Sequence, residues 1–146
     1  MDLTKQSPRS VSEKLAGLVM LARAVDKARA YKAGTLGEYN YDCGMDNKVF
    51  AFLGTTDQAF ADRAEQLSDR DIEKWVRESF LAHKSADEID RYNTEFLERR
   101  PEPGTDSEKY FTSMRDSIDR SRTDITTWAQ LLDLDEKRDV PQRKAA

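Results

Sequence analysis

A single cysteine, Cys43, and a single histidine, His83, occur in 146 residues, so the side chains that most often bind zinc or act as nucleophile and base are nearly missing. One cysteine closes no internal disulfide, and one of each leaves a zinc site short of ligands. The Glu-x-x-His units of a four-helix di-iron centre are absent, and no spacing of acids marks a carboxylate-only magnesium site. No metal or other cofactor is therefore expected. The glycines at 34, 37 and 44 have the wrong spacing for a phosphate loop or dinucleotide fingerprint, and there is no Gly-x-Ser-x-Gly elbow.

Long apolar runs are missing too. The longest, Leu15 to Ala22, is less than half of the roughly 20 residues needed to cross a bilayer. The start, Met1-Asp2-Leu3-Thr4-Lys5, lacks the basic region and apolar stretch of a secretory signal, so a reducing cytoplasm is the expected home. Nor is there an excess of positive charge. Net charge is -4, and basic residues alternate with acids, as in Asp69-Arg70-Asp71, which denies nucleic acid a counterion-releasing stripe. The expected partner is a protein or small molecule, not nucleic acid and not a membrane.

What is present is helical. Hydrophobic residues make up 38% and charged residues 36%, which predicts a thin core under a charged surface. Capping-box starts recur: Ser10-x-x-Glu13, Thr55-x-x-Gln58, Ser85-x-x-Glu88 and Thr105-x-x-Glu108, with weaker versions at Ser68-x-x-Asp71 and Ser121-x-x-Asp124. Between them apolar residues repeat at three and four. Ile72, Trp75, Val76 and Phe80 form one stripe, Ile89, Tyr92, Phe96 and Leu97 another. Tyr110, Met114 and Ile118, then Ile125, Trp128, Leu131 and Leu132, continue the series as core-facing stripes. Gly34 and Gly54 stop helices, and Pro101-Glu102-Pro103-Gly104 forces a tight loop. The expectation is an all-α, compact single-domain bundle of six or seven helices over residues 1–146. An extended arm covers 1–9, an irregular loop follows the first helix, and the tail from 140 frays.

The first helix is expected to open at Ser10 and to carry Leu15, Leu18, Val19, Ala22, Val25, Ala30 and Ala33 on one face. Its first half is apolar nearly all round, as befits a central helix. Asp26 and Arg29 fall in that stripe, where a buried charge costs several kcal/mol unless paired. They are either a structural ion pair or part of a wet cavity. Arg23 and Lys27 lie toward the flank, facing solvent or bound to passing loops. The segment from Gly34 to Met45 then crowds Glu38, Tyr39, Tyr41, Asp42 and Cys43 into six residues, with both rings expected to pack to one side and Asp42 or Asp46 to cap the next helix. Cys43 reads as a packed thiol, and His83 as a helix-end residue continuing the Ile72 stripe.

The strings Asp2-Leu-Thr-Lys, Pro8-Arg-Ser10, Asp26-Lys-Ala-Arg-Ala30, Gly34-Thr-Leu-Gly-Glu-Tyr39 and Thr127-Trp with Leu131-Leu-Asp-Leu134 resemble the bacterial domain-of-unknown-function family 5069. The resemblance spans about Leu3 to Arg138. It implies a helical fold and brings no assigned activity or catalytic residue. Two functional readings stay open. One is a non-enzymatic binding or interaction protein. The other is a small-molecule enzyme or ligand receptor with a pocket of Asp26, Arg29, Glu38, Tyr39 and Tyr41. There Arg29 would hold an anion and Asp26 or Glu38 would move protons.

Overall fold

The first helix starts one whole segment later than the Ser10 signal predicts. In the structure, a computed structural model describing residues 1–142, Ser10 to Met20 is a series of turns and α1 runs Leu21–Ala33. The cause is a two-residue turn. Leu15 and Leu18 exchange both backbone hydrogen bonds, at 3.1 and 3.0 Å, around Ala16 and Gly17 with φ of 53° and 75°. Two successive positive φ values mark a primed hairpin turn, and glycine takes such a value without steric cost. The tiny hairpin is itself buried: Leu15, Ala16, Leu18, Val19 and Met20 are all inside. That explains why the stretch looks apolar all round without being helical.

Six further α-helices follow among the described residues: α2 (Gly44–Leu53), α3 (Asp57–Gln66), α4 (Asp69–Ser79), α5 (Ala86–Glu98), α6 (Asp106–Ile118) and α7 (Trp128–Asp135). There is no strand among them beyond the Leu15–Leu18 bridge, so the chain is all-α. None of these helices is long and apolar enough to cross a membrane. Gly34 and Gly54 end α1 and α2 in the left-handed conformation, as their positions predict. Ser68 caps α4 and Thr105 caps α6, each accepting from the amide three residues on, while Ser85 and Glu88 form a reciprocal box at α5. Two starts move. Thr56, not Thr55, caps α3, and Ser121 begins no helix; α7 is opened by the box Thr127-x-x-Gln130. His83 lies in an exposed 3-10 turn after α4 has ended, and continues no apolar face.

The chain forms two compact units, Met1–Thr94 and the residues from Glu95 onward, with the boundary inside α5. In the first, α1 packs chiefly on α3. Leu21, Val25, Val49, Phe60, Ile72 and Val76 are fully buried, each contributing about 2 kcal/mol of apolar transfer. Rings run in succession from Tyr31 through Tyr41, Phe50, Phe60 and Trp75 to Phe80, with centroids 5.0 to 6.2 Å apart. The hairpin is pinned from two sides. Glu73 of α4 accepts from the Ala16 amide at 3.1 Å, and Asn93 of α5 bridges the Val19 amide and Gly17 carbonyl at 3.0 and 2.9 Å.

The second unit is built on Phe111, Ile125, Leu131 and Val140, with Met114, Trp128 and Leu134 against them. At the start of the tail expected to fray, Val140 is buried and its carbonyl accepts from Arg122 at 2.7 Å. Residues 143–146 of that tail lie outside the described residues. On α6 the inward residue is Phe111. Tyr110 and Ile118, expected to face the core, are 62% and 38% exposed.

Candidate functional site

Asp26 is 1% exposed, and its carboxylate is filled by the N-terminal arm. Arg9 donates to it three times, from its backbone N at 2.9 Å, Nε at 3.1 Å and Nη2 at 3.1 Å. The same guanidinium donates to Asp69, at the start of α4, at 2.8 Å. Arg29 completes the cluster on the other side of Asp69, donating to it at 2.9 Å and to the Ala64 and Leu67 carbonyls at 3.0 and 2.8 Å. Asp26 and Arg29 are thus both paired, but through Arg9 and Asp69 respectively. Although burial opposes its charge, Arg9 is held above its ordinary pKa by the hydrogen bonds to Asp26 and Asp69. Burial likewise opposes the Asp69 charge, yet the bonds and charges of Arg9 and Arg29 hold it below the usual carboxylate range.

The other three expected pocket residues disperse. Glu38 is exposed on the loop. Tyr39 turns to the arm, donating to Ser7 Oγ at 3.2 Å with the Arg23 guanidinium 5.7 Å from its ring centre. Tyr41 stacks on Tyr31 and donates to the Asp57 carbonyl at 2.6 Å. Burial and then the negative charge of Asp46 push the Tyr41 phenol well above its ordinary pKa. The two rings therefore do not share one side. The loop between α1 and α2 rests on the arm: Leu3 donates to the Thr35 carbonyl at 2.9 Å, and Gly37, at φ 62°, leaves room for Leu3 where a Cβ would come within 3.2 Å of its oxygen.

A second polar cluster lies where α1 meets the end of that loop, composed of residues the sequence did not single out together. Lys27, 4% exposed, donates from Nζ to Asp46 Oδ2 at 2.7 Å and to Cys43 Sγ at 3.3 Å. Cys43 is the N-cap of α2 and half-buried; its amide and its thiol both lie 3.3 Å from the same Oδ2. Asp46, at the third position of α2, is fully buried, and its Oδ1 has no hydrogen-bond partner among the described residues. Lys27 is one of the two flank residues expected to face solvent or bind a passing loop; it does the latter. Of the two acids expected to cap α2, Asp42 and Asp46, it is Asp46 that takes part, accepting the Cys43 amide from the third helical position while Cys43 is the N-cap itself. The spacing Cys43-x-x-Asp46, an N-cap followed by an acid at the third helical position, is the signal that marks this pair. Among the described residues no group of three or more His, Cys, Asp or Glu side chains is arranged to hold a metal ion.

Residues 5–138 match the model of the family described as "Domain of unknown function (DUF5069)". The chain belongs to that family. No curated protein matches it. The description of DUF5069 carries no reaction, so the chemistry available to this member has to be read from the two clusters: an Arg9–Asp26–Asp69–Arg29 lattice, and a Lys27–Cys43–Asp46 group in which Asp46 Oδ1 has no hydrogen-bond partner among the described residues.

Proposed function

We propose that this protein is a non-enzymatic binding or interaction protein of the cytoplasm, acting on a protein or small-molecule partner. The supporting observation is the engagement of Asp26 and Arg29, the two charges in the apolar stripe of α1, by partners within the chain. Asp26 accepts three hydrogen bonds from Arg9, and Arg29 spends its donors on Asp69 and two backbone carbonyls. Groups committed in this way hold the arm and helices in register and are not offered to a substrate as acid and base. A surface crowded with both signs of charge supports reversible association with one chosen partner.

The test is a time course. Purified protein is incubated with a metabolite extract followed by mass spectrometry, beside chemical crosslinking in lysate. A reproducible stoichiometric partner with no compound consumed supports the reading. Turnover of any compound, abolished in Glu38→Gln at unchanged melting temperature, refutes it.

One observation favours a second reading, a small-molecule receptor or enzyme at the junction of α1 and the following loop: the buried Oδ1 of Asp46, which has no hydrogen-bond partner among the described residues. Under that reading Cys43→Ala abolishes ligand-induced thermal stabilisation while leaving the melting temperature of the free protein within a few degrees.

A further inference from the structure

We propose that Cys43 is a modification site for hydroperoxides and that Lys27 is its resolving amine, so that oxidation ends in a covalent bond between Sγ and Nζ. Three observations meet here. Nζ and Sγ are 3.3 Å apart, with the amine held in place by Asp46 at 2.7 Å. Cys43 is the N-cap of α2, with the Asp46 amide facing its side chain, and it is half-buried and so not sealed from solvent. Independently, Asp46 carries a fully buried Oδ1 with no hydrogen-bond partner among the described residues, a lone pair ready to receive a proton within the cluster.

The chemistry balances in two steps. Sulfur attacks the distal oxygen of the hydroperoxide as the thiol proton passes to Asp46. The O–O bond breaks, and the departing alkoxide or hydroxide takes that proton, leaving a sulfenic acid, sulfur oxidised by two electrons and peroxide reduced by two. One proton then moves from the Lys27 ammonium to Asp46. The freed amine attacks sulfur, the S–O bond breaks, and the hydroxide released takes a second N–H proton and leaves as water. The products are a neutral S–N bond and a neutral carboxyl. A buried ion pair, costly to keep dry, is discharged in the process. The bond ties α1 to the start of α2.

The test uses the whole wild-type protein treated with hydrogen peroxide at increasing ratio, then digested with trypsin without reductant. The expected product joins the peptide 24–29, uncut after Lys27, to the peptide 33–48 that contains Cys43, at their summed mass less two hydrogens. It disappears on reduction with dithiothreitol and is absent from Cys43→Ser. In Lys27→Arg the sulfenic acid is trapped by dimedone instead. The inference is overturned if Cys43 stays a free thiol in the folded protein while the urea-unfolded chain reacts. It is equally overturned if oxidation runs to sulfinic acid with no link to Lys27. Because the readout is on wild-type protein, neither result depends on a variant folding.

Discussion

Replacing Arg9 with methionine removes the guanidinium but keeps most of the stem, and the cost follows from what is left behind. Asp26 is 1% exposed and loses two of its three hydrogen bonds from Arg9, keeping the one from the backbone N–H, so it becomes a buried carboxylate without the guanidinium counter-charge. Breaking a buried pair from one side costs about 3–5 kcal/mol, so ~4 kcal/mol is expected for Arg9→Met. The reverse change, Asp26→Asn, strands a guanidinium that is 27% exposed and still bound to Asp69. It loses charge-assisted hydrogen bonding alone, about 2 kcal/mol. With ~3 °C per kcal/mol near this chain length, melting falls by ~12 °C and ~6 °C respectively. The double variant buries no orphan charge, so it costs less than the sum of the singles. The assay is thermal unfolding followed by far-UV circular dichroism and by Trp75 fluorescence in a Trp128→Phe background. Equal losses, additive losses, or changes under about 0.5 kcal/mol would refute the reasoning.

Gly37→Ala must adopt φ 62° and presses its Cβ to 3.2 Å from the Leu3 oxygen, so a loss of about 1–2 kcal/mol is expected, together with faster proteolysis within the first nine residues. Thr127→Ala removes the oxygen that accepts from the Gln130 amide at 3.2 Å and should cost about 1 kcal/mol by urea titration; Thr127→Ser should restore most of it. Burial raises the phenols of Tyr41 and Tyr92 above their ordinary range. Their folded pKa values exceed the unfolded value of about 10, so their contribution is complete below that pH and is lost as pH rises beyond it. Absorbance at the tyrosinate band should therefore show these two of the five tyrosines titrating only as the protein unfolds, and early titration of all five would contradict their burial.

Helix identity was legible wherever a cap and a periodic stripe coincided, as at Ser68, Ser85 and Thr105, because those signals act within four residues. Ser10 misled because Ser12 donates its amide to Ser10 Oγ in a local turn, the same side-chain chemistry closing a different loop. Tyr110 and Ile118 misled because spacing fixes which residues share a face and not which face is covered; α6 turns Phe111 inward. In the candidate site, the anomaly of Asp26 in an apolar stripe was visible, but its partner lies 17 residues back and that of Arg29 lies 40 residues ahead. No local pattern encodes such distances. Lys27 looked peripheral because a helical wheel does not show which loop returns to cover it.

The reach of Arg9 also has a consequence in time. It joins Asp26 to Asp69, and Asp69 lies 60 residues further along the chain. During vectorial synthesis Arg9 lacks Asp69 as an acceptor until the beginning of α4 emerges, so α1 is made well before the lattice can be completed. The arm is synthesised before α4 yet closes fully only once α4 is in place, which makes its closure a long-range event whose loop-closure entropy is met before its contacts are gained.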